Sequence, residues 1–146
     1  IEIGRAEVIA DRMQLAFQGV DRRQFAYTFK MIPRDSREAD EIKKIVHAFK
    51  FNMMPEFTDT TKRDTLNYPA TFDIEYHFRG GQNAFLNRIA TSVLESCNVT
   101  YGGERVQFFR PTTGVNGRGA PPVETNIELQ FKELEVITRE KIVEGF

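Results

Sequence analysis

Few residues in this chain are of types and spacings that could do chemistry. The closest grouping is Asp73, Glu75 and His77 within YPATFDIEYHF. Alternate residues of a strand project from one face, so these three would share a surface. Two carboxylates beside an imidazole could serve as acid and base in a hydrolytic reaction. The plainer reading, a solvated polar strand face, is the stronger. The other histidine, His47, falls on the charged side of a helical pattern, away from Ile42, Ile45 and Phe49, and reads as surface. Cys97 would be a nucleophile only with a histidine beside it. Within SVLESCNV it reads instead as a small buried thiol.

The glycines of GVNGRGAPP suggest a phosphate cradle, but such a loop should follow a strand and open a helix. Here two prolines and a strand follow, so a surface loop is expected. Arg105, Arg110 and Arg118 make this region locally basic. They are candidates for docking an acidic neighbour, set against a solvated loop. With one cysteine there is no internal disulfide framework and no multi-cysteine metal cluster. A single thiol also fits a reducing compartment. Neither a catalytic residue set nor a cofactor is expected.

The elements that would position these residues follow from periodicity. RQFAYTFKMI alternates cleanly, with Phe25, Tyr27, Phe29 and Met31 on one face, and Pro33 ends the strand. DSREADEIKKIVHAFKF carries Ala39, Ile42, Ile45, Val46 and Phe49 at helical spacing, so a helix is expected over about 36–50. Asp35 and Glu38 have capping-box spacing at its start. Residues 52–69 show no periodicity and read as a long loop, in which Met54 and Phe57 are candidate docking residues.

YPATFDIEYHF alternates as a second strand, broken by Gly80-Gly81. Residues 82–90 fit either a helical turn or an irregular lead-in. SVLESCNVTY is a third strand, Gly102-Gly103 a hairpin turn and ERVQFF its returning partner. In VETNIELQFKELEVI the residues Val123, Thr125, Ile127, Leu129 and Phe131 share a face, and the apolar phase restarts at Leu134. A β-bulge is therefore expected near Lys132–Glu133. Strands without βαβ alternation, plus one good helix, give an α+β class.

Composition bounds the rest. The chain has 146 residues, which suits a single domain over 1–146. Its 20 basic and 21 acidic residues leave no excess pointing to nucleic-acid binding. No apolar run reaches the roughly 20 residues of a membrane helix. The chain opens with the strand-like IEIGRAEV, so it is expected to be the C-terminal part of a longer protein.

Three stretches together carry a resemblance: DRRQFAYTFKMIPRDSREADEIKKIVHAFKFNMMPEF, then YPATFDIEYHF, then SVLESCNVTYG through APPVETNIELQFKELEVITREKIVEGF. In this order they resemble the C-terminal domain of the baseplate tail-tube junction protein, the tube cap or initiator, of T4-like contractile phages. The likeness covers roughly residues 20–146 and is one of pattern rather than of any single motif. It implies an antiparallel β-sandwich or partial barrel of the tail-tube type, with the 36–50 helix packed outside. It also implies a hexameric ring in the virion baseplate, assembled in the host cytoplasm. That ring would join the hub protein to the tail tube or to a second tube initiator, and would start tube growth. Phage DNA would pass through without specific binding, and no membrane is involved. On this resemblance Asp73, Glu75, Glu124 and Glu128 are expected to face the lumen, where acidic charge repels phosphate. The rival readings are a tail assembly adaptor or chaperone without a tube, and the hydrolytic enzyme built on Asp73, Glu75 and His77.

Overall fold

The computed structural model describes residues 21–59, 61–110 and 119–146. The opening IEIGRAEV and Arg118 lie outside the described residues. The elements in chain order are β1 (Gln24–Met31), α1 (Ser36–Met53), β2 (Glu56–Phe57), β3 (Leu66–Asn67), β4 (His77–Phe78), β5 (Gly81–Gln82), β6 (Ser92–Tyr101), β7 (Thr125–Glu133) and α2 (Arg139–Val143). This is a mixed α+β fold of small antiparallel sheets with two helices. Its centre is a three-stranded sheet in the order β1-β7-β6.

β7 is the middle strand. It pairs antiparallel with β1, setting Phe25 opposite Phe131 and Met31 opposite Thr125. On its other side it pairs antiparallel with β6, setting Ser92 opposite Glu133 and Tyr101 opposite Thr125. The expected alternation holds from Thr125 to Phe131 and continues without a slip to Glu133, so that Thr125, Ile127, Leu129, Phe131 and Glu133 are all buried. Ile127, Leu129 and Phe131 form the core with Leu94 of β6 and Val46 of α1. Phe72 packs edge-on to Phe131, with ring centroids 5.4 Å apart, and stacks on Phe49 at 6.2 Å.

α1 starts as its sequence requires. The Asp35 side chain accepts from the Glu38 N–H at 2.8 Å, and the Glu38 carboxylate accepts from the Arg34 N–H at 2.7 Å. The first bond satisfies a donor that the first turn leaves free, and the second ties the turn to the chain just ahead of the cap. The helix runs three residues past the expected end, to Met53. Val46, Phe49 and Met53 pack on the sheet, whereas Ile45 lies off the stripe and is exposed.

Five expectations are corrected. No bulge occurs at Lys132–Glu133; Glu133 stays in phase, and the register shift is on β6, between Leu94 and Ser96. The extra residue there is Glu95, whose carboxylate lies 3.9 Å from Lys132 Nζ. ERVQFF is not the partner of β6, which pairs with β7 instead. Gly102 adopts φ +87°, where a side chain would collide with the backbone of Arg105 and Val106. The chain then leaves the sheet, and Gln107 and Phe109 bond back to Val123 and Pro121. YPATFDIEYHF alternates in burial as expected but is not a laddered strand: Phe72 bridges Ser92, and only His77–Phe78 joins a short hairpin. The 52–69 loop is not featureless, because β2 and β3 pair within it. Residues 83–86 form a turn held by Asn83, and α2 follows β7 where no helix was expected.

No helix among the described residues is long and apolar enough to cross a membrane.

Candidate functional site

Strand alternation gives the central sheet a second face. Lys30, Thr28, Ala26 and Gln24 of β1 stand on it. They lie opposite Asn126, Glu128, Gln130 and Lys132 of β7. Thr100, Asn98, Ser96 and Val93 of β6 complete it. Ten of these twelve side chains are polar, so this face is built for water while the other is built for the core. Gln130 donates to Gln24 across it at 2.8 Å.

Glu128 is exposed on this face and makes no ion pair with a described residue. Glu124 is different. It lies against Lys30 Nζ at 2.8 Å, and its side chain keeps 13% exposure. The hydrogen bond from Lys30 holds its carboxyl below the usual glutamate range. The face is therefore less acidic than its glutamates suggest.

Asp73 and Glu75 lie elsewhere. Phe72 bridges Ser92, which pairs with Glu133, so Asp73 sits at the far end of the sheet from Glu124. Nine strand residues at about 3.3 Å each put roughly 30 Å between those two ends. Asp73 accepts from Thr91 Oγ1 at 2.8 Å. Glu75 meets His77 Nε2 at 2.8 Å, and both side chains are more than half exposed. The structure does not gather the four carboxylates into one cluster.

Asp73 and Glu75 do line an open cleft of about 240 Å³, together with Arg88, Glu135 and Phe146. His77 stays paired with Glu75 at the rim of this cleft, while Asp73 bonds Thr91 instead, so the three do not form one hydrogen-bonded set. Among the described residues no group of three or more His, Cys, Asp and Glu side chains is placed to hold a metal. Cys97 is half-buried on the core face, and burial raises its thiol pKa. A raised pKa suppresses the thiolate a nucleophile requires.

The docking candidates are on the surface. Met54, Phe57 and Leu66 are exposed around the β2–β3 hairpin, and the neighbouring Tyr68 is 98% exposed. Arg105 and Arg110 are exposed on the segment that also presents Val106 and Phe108.

Sequence reasoning missed one group. Glu133 is completely buried and accepts three hydrogen bonds, two from the Arg23 guanidinium at 2.5 and 3.0 Å and one from the Ala90 N–H at 2.7 Å. This clasp joins β1, β7 and the lead-in to β6. The available signal was an in-phase charged residue at the end of an apolar alternation.

The edges of the sheet matter as much as its faces. Among the described residues β1 pairs only with β7, so its other edge is open. Among the described residues the outer edge of β6 meets only Phe72, through hydrogen bonds of 2.7 and 2.9 Å with Ser92. Such edges are templates for another strand. Comparison of the chain with protein-family models and with curated protein sequences gives no match.

Proposed function

We propose that this chain is a structural ring component of a contractile-phage baseplate, in which copies join edge to edge between the hub and the tail tube. The observation that carries this reading is the central sheet: one face packed, one face polar, and an edge on each flank with little or no partner among the described residues. Adding strands from neighbouring copies at both flanks is a head-to-tail contact, which closes into a ring when the rotation between copies divides a full turn. Closure removes the edges and leaves the polar face as a continuous wall. Glu128 then stands on that wall uncompensated, and it repels phosphate passing alongside.

The adaptor reading draws support from a different feature, the exposed apolar side chains around Tyr68 and Phe108. Exposed patches of this kind mark contact surfaces of either protein class.

Negative-stain imaging of the chain, alone and with its hub partner, separates the two. Rings with a central hole, on their own or seated on the hub, are expected. Monomers in both samples, well above micromolar concentration, would reject the ring and leave the adaptor.

A further inference from the structure

Lys30 and Asn126 stand directly opposite one another on β1 and β7. Both bind the same carboxylate. Lys30 Nζ lies 2.8 Å from Glu124 Oε1, and Asn126 Nδ2 donates to Glu124 Oε2 at 3.3 Å. The same Nδ2 also donates to the Gly102 carbonyl at 3.2 Å, which fixes the amide with its nitrogen toward Glu124. Glu124 is shielded while the Lys30 side chain keeps 64% exposure.

A primary amine, a carboxamide and a carboxylate touching both nitrogens are the reactants and proton carrier of a transamidation. We propose that Lys30 and Asn126 join in an intramolecular isopeptide bond, with Glu124 shuttling the proton. Glu124 takes a proton from the Lys30 ammonium and frees the Nζ lone pair. Nζ then attacks Cγ of Asn126. The Cγ–Nδ2 bond breaks as the protons removed from Nζ pass through Glu124 to the departing nitrogen. An ammonium and a carboxamide become a secondary amide and free ammonium. Charge and electrons balance, no co-reactant is needed, and Glu124 ends as it began.

Positioning is the catalytic contribution. Two partners on one carboxylate react as an intramolecular pair, where high effective concentration replaces collision. The attacking amine must be neutral, and Glu124 makes it so by taking the ammonium proton within the site. Among the described residues Glu124, just ahead of β7, Glu128 of β7 and Lys30 of β1 are the charged groups on this part of the face, and β6 contributes Asn98 and Thr100, which do not titrate. The product would tie the end of β1 to the start of β7, so that force on either strand is carried covalently. The bond does not depend on the ring reading, because it forms within one chain.

The test is the intact mass of the purified full chain, held for a week at pH 7.5 and at pH 9.5. The linked chain is lighter by the one ammonia it releases, about 17 Da. The loss is expected to accumulate at both pH values. A proteolytic map should hold a branched peptide carrying both Lys30 and Asn126. Lys30→Arg should keep the full mass while remaining folded by circular dichroism. Glu124→Gln should slow the loss by at least about 100-fold, the size of a general acid–base contribution. Full mass at both pH values after a week overturns the proposal. So does a loss that survives in Lys30→Arg, which would mark a succinimide elsewhere in the chain. A Glu124→Gln chain that links at the parent rate removes Glu124 from the step.

Discussion

Replacing Glu133 by alanine should be among the costliest single changes in this protein. Its side chain is completely buried, and its carboxylate holds two Arg23 N–H groups and the Ala90 N–H. Hydrogen bonds to a charged group are worth about 1.5–3 kcal/mol each. Three of them do not simply add, because the Arg23 side chain is 29% exposed and regains water when its partner goes. The Ala90 N–H has no such recourse, and an orphaned buried donor costs about 1–3 kcal/mol. Breaking a buried ion pair costs about 3–5 kcal/mol. Taking the lower part of that range for the half-solvated arginine, Glu133→Ala should lose about 3–4 kcal/mol.

Glu133→Gln keeps the volume and an acceptor for Ala90, so it should lose only about 1–2 kcal/mol. Urea unfolding followed by far-ultraviolet circular dichroism measures both, with the slope checked for constancy. A double-mutant cycle with Arg23→Ala should give a coupling of about 2 kcal/mol between the two side chains. A Glu133→Ala loss under about 1 kcal/mol at unchanged slope would refute the clasp, since surface pairs fall in that range.

Two further predictions concern the tyrosine pair and the polar face. The Tyr27 and Tyr76 hydroxyls lie 2.5 Å apart, and burial first, then that hydrogen bond, raises the Tyr27 pKa above its ordinary 10.0. The unfolded chain therefore loses this proton before the folded one. Its contribution is complete below pH 10.0 and is lost as pH rises toward the folded value. Urea midpoints should accordingly fall above that pH in the parent, and a Tyr27→Phe/Tyr76→Phe double variant should show a shallower fall. Glu128→Lys should leave stability within about 0.5 kcal/mol, as for an exposed site without an ion-pair partner among the described residues, and in the proposed ring it should slow DNA release from assembled particles in a dye-exposure assay. Unchanged release kinetics would take Glu128 out of the lumen.

What the sequence discloses here depends on how local the cause is. β1, α1 and β7 are legible because each carries a long uninterrupted period, two for the strands and about 3.6 for the helix. Pairing is another matter. Gly102-Gly103 is a turn signal, but a turn does not choose its second strand. β7 wins β6 because Ile127, Leu129 and Phe131 meet Val99, Cys97 and Leu94 across the ladder. The rival ERVQFF leaves Val106 and Phe108 mostly exposed. Glu133 misled for a similar reason. A charge at a core position looks like a slip of phase until its partner is known, and Arg23 lies 110 residues away. The lumen candidates divide along the same line. Strand parity alone puts Glu128 on the polar face, whereas the neutralisation of Glu124 by Lys30 required the β1–β7 register.

That register also shows where the molecule is unfinished. α1 packs chiefly against β6, so the core face of β1 is only partly covered. Phe29 stands on that face, stacked on Tyr27 with centroids 6.4 Å apart, and remains 50% exposed. Half of a phenylalanine is about 100 Å², which at about 25 cal/mol per Å² leaves roughly 2.5 kcal/mol of burial unrealised. The open hydrogen-bonding edge belongs to the same strand. A neighbouring strand that satisfied the β1 edge would bring its own side chains over Phe29, so both deficits are met by one contact. A polypeptide that merely covered Phe29 would leave the edge unpaired, and a peptide that merely added a strand would gain little without apolar residues in phase. The occupant of β1 should therefore be an alternating strand, apolar on the core side and polar on the other. β6 has that pattern, with Leu94, Cys97 and Val99 on one face and Ser96, Asn98 and Thr100 on the other, and among the described residues most of its outer edge is unpaired.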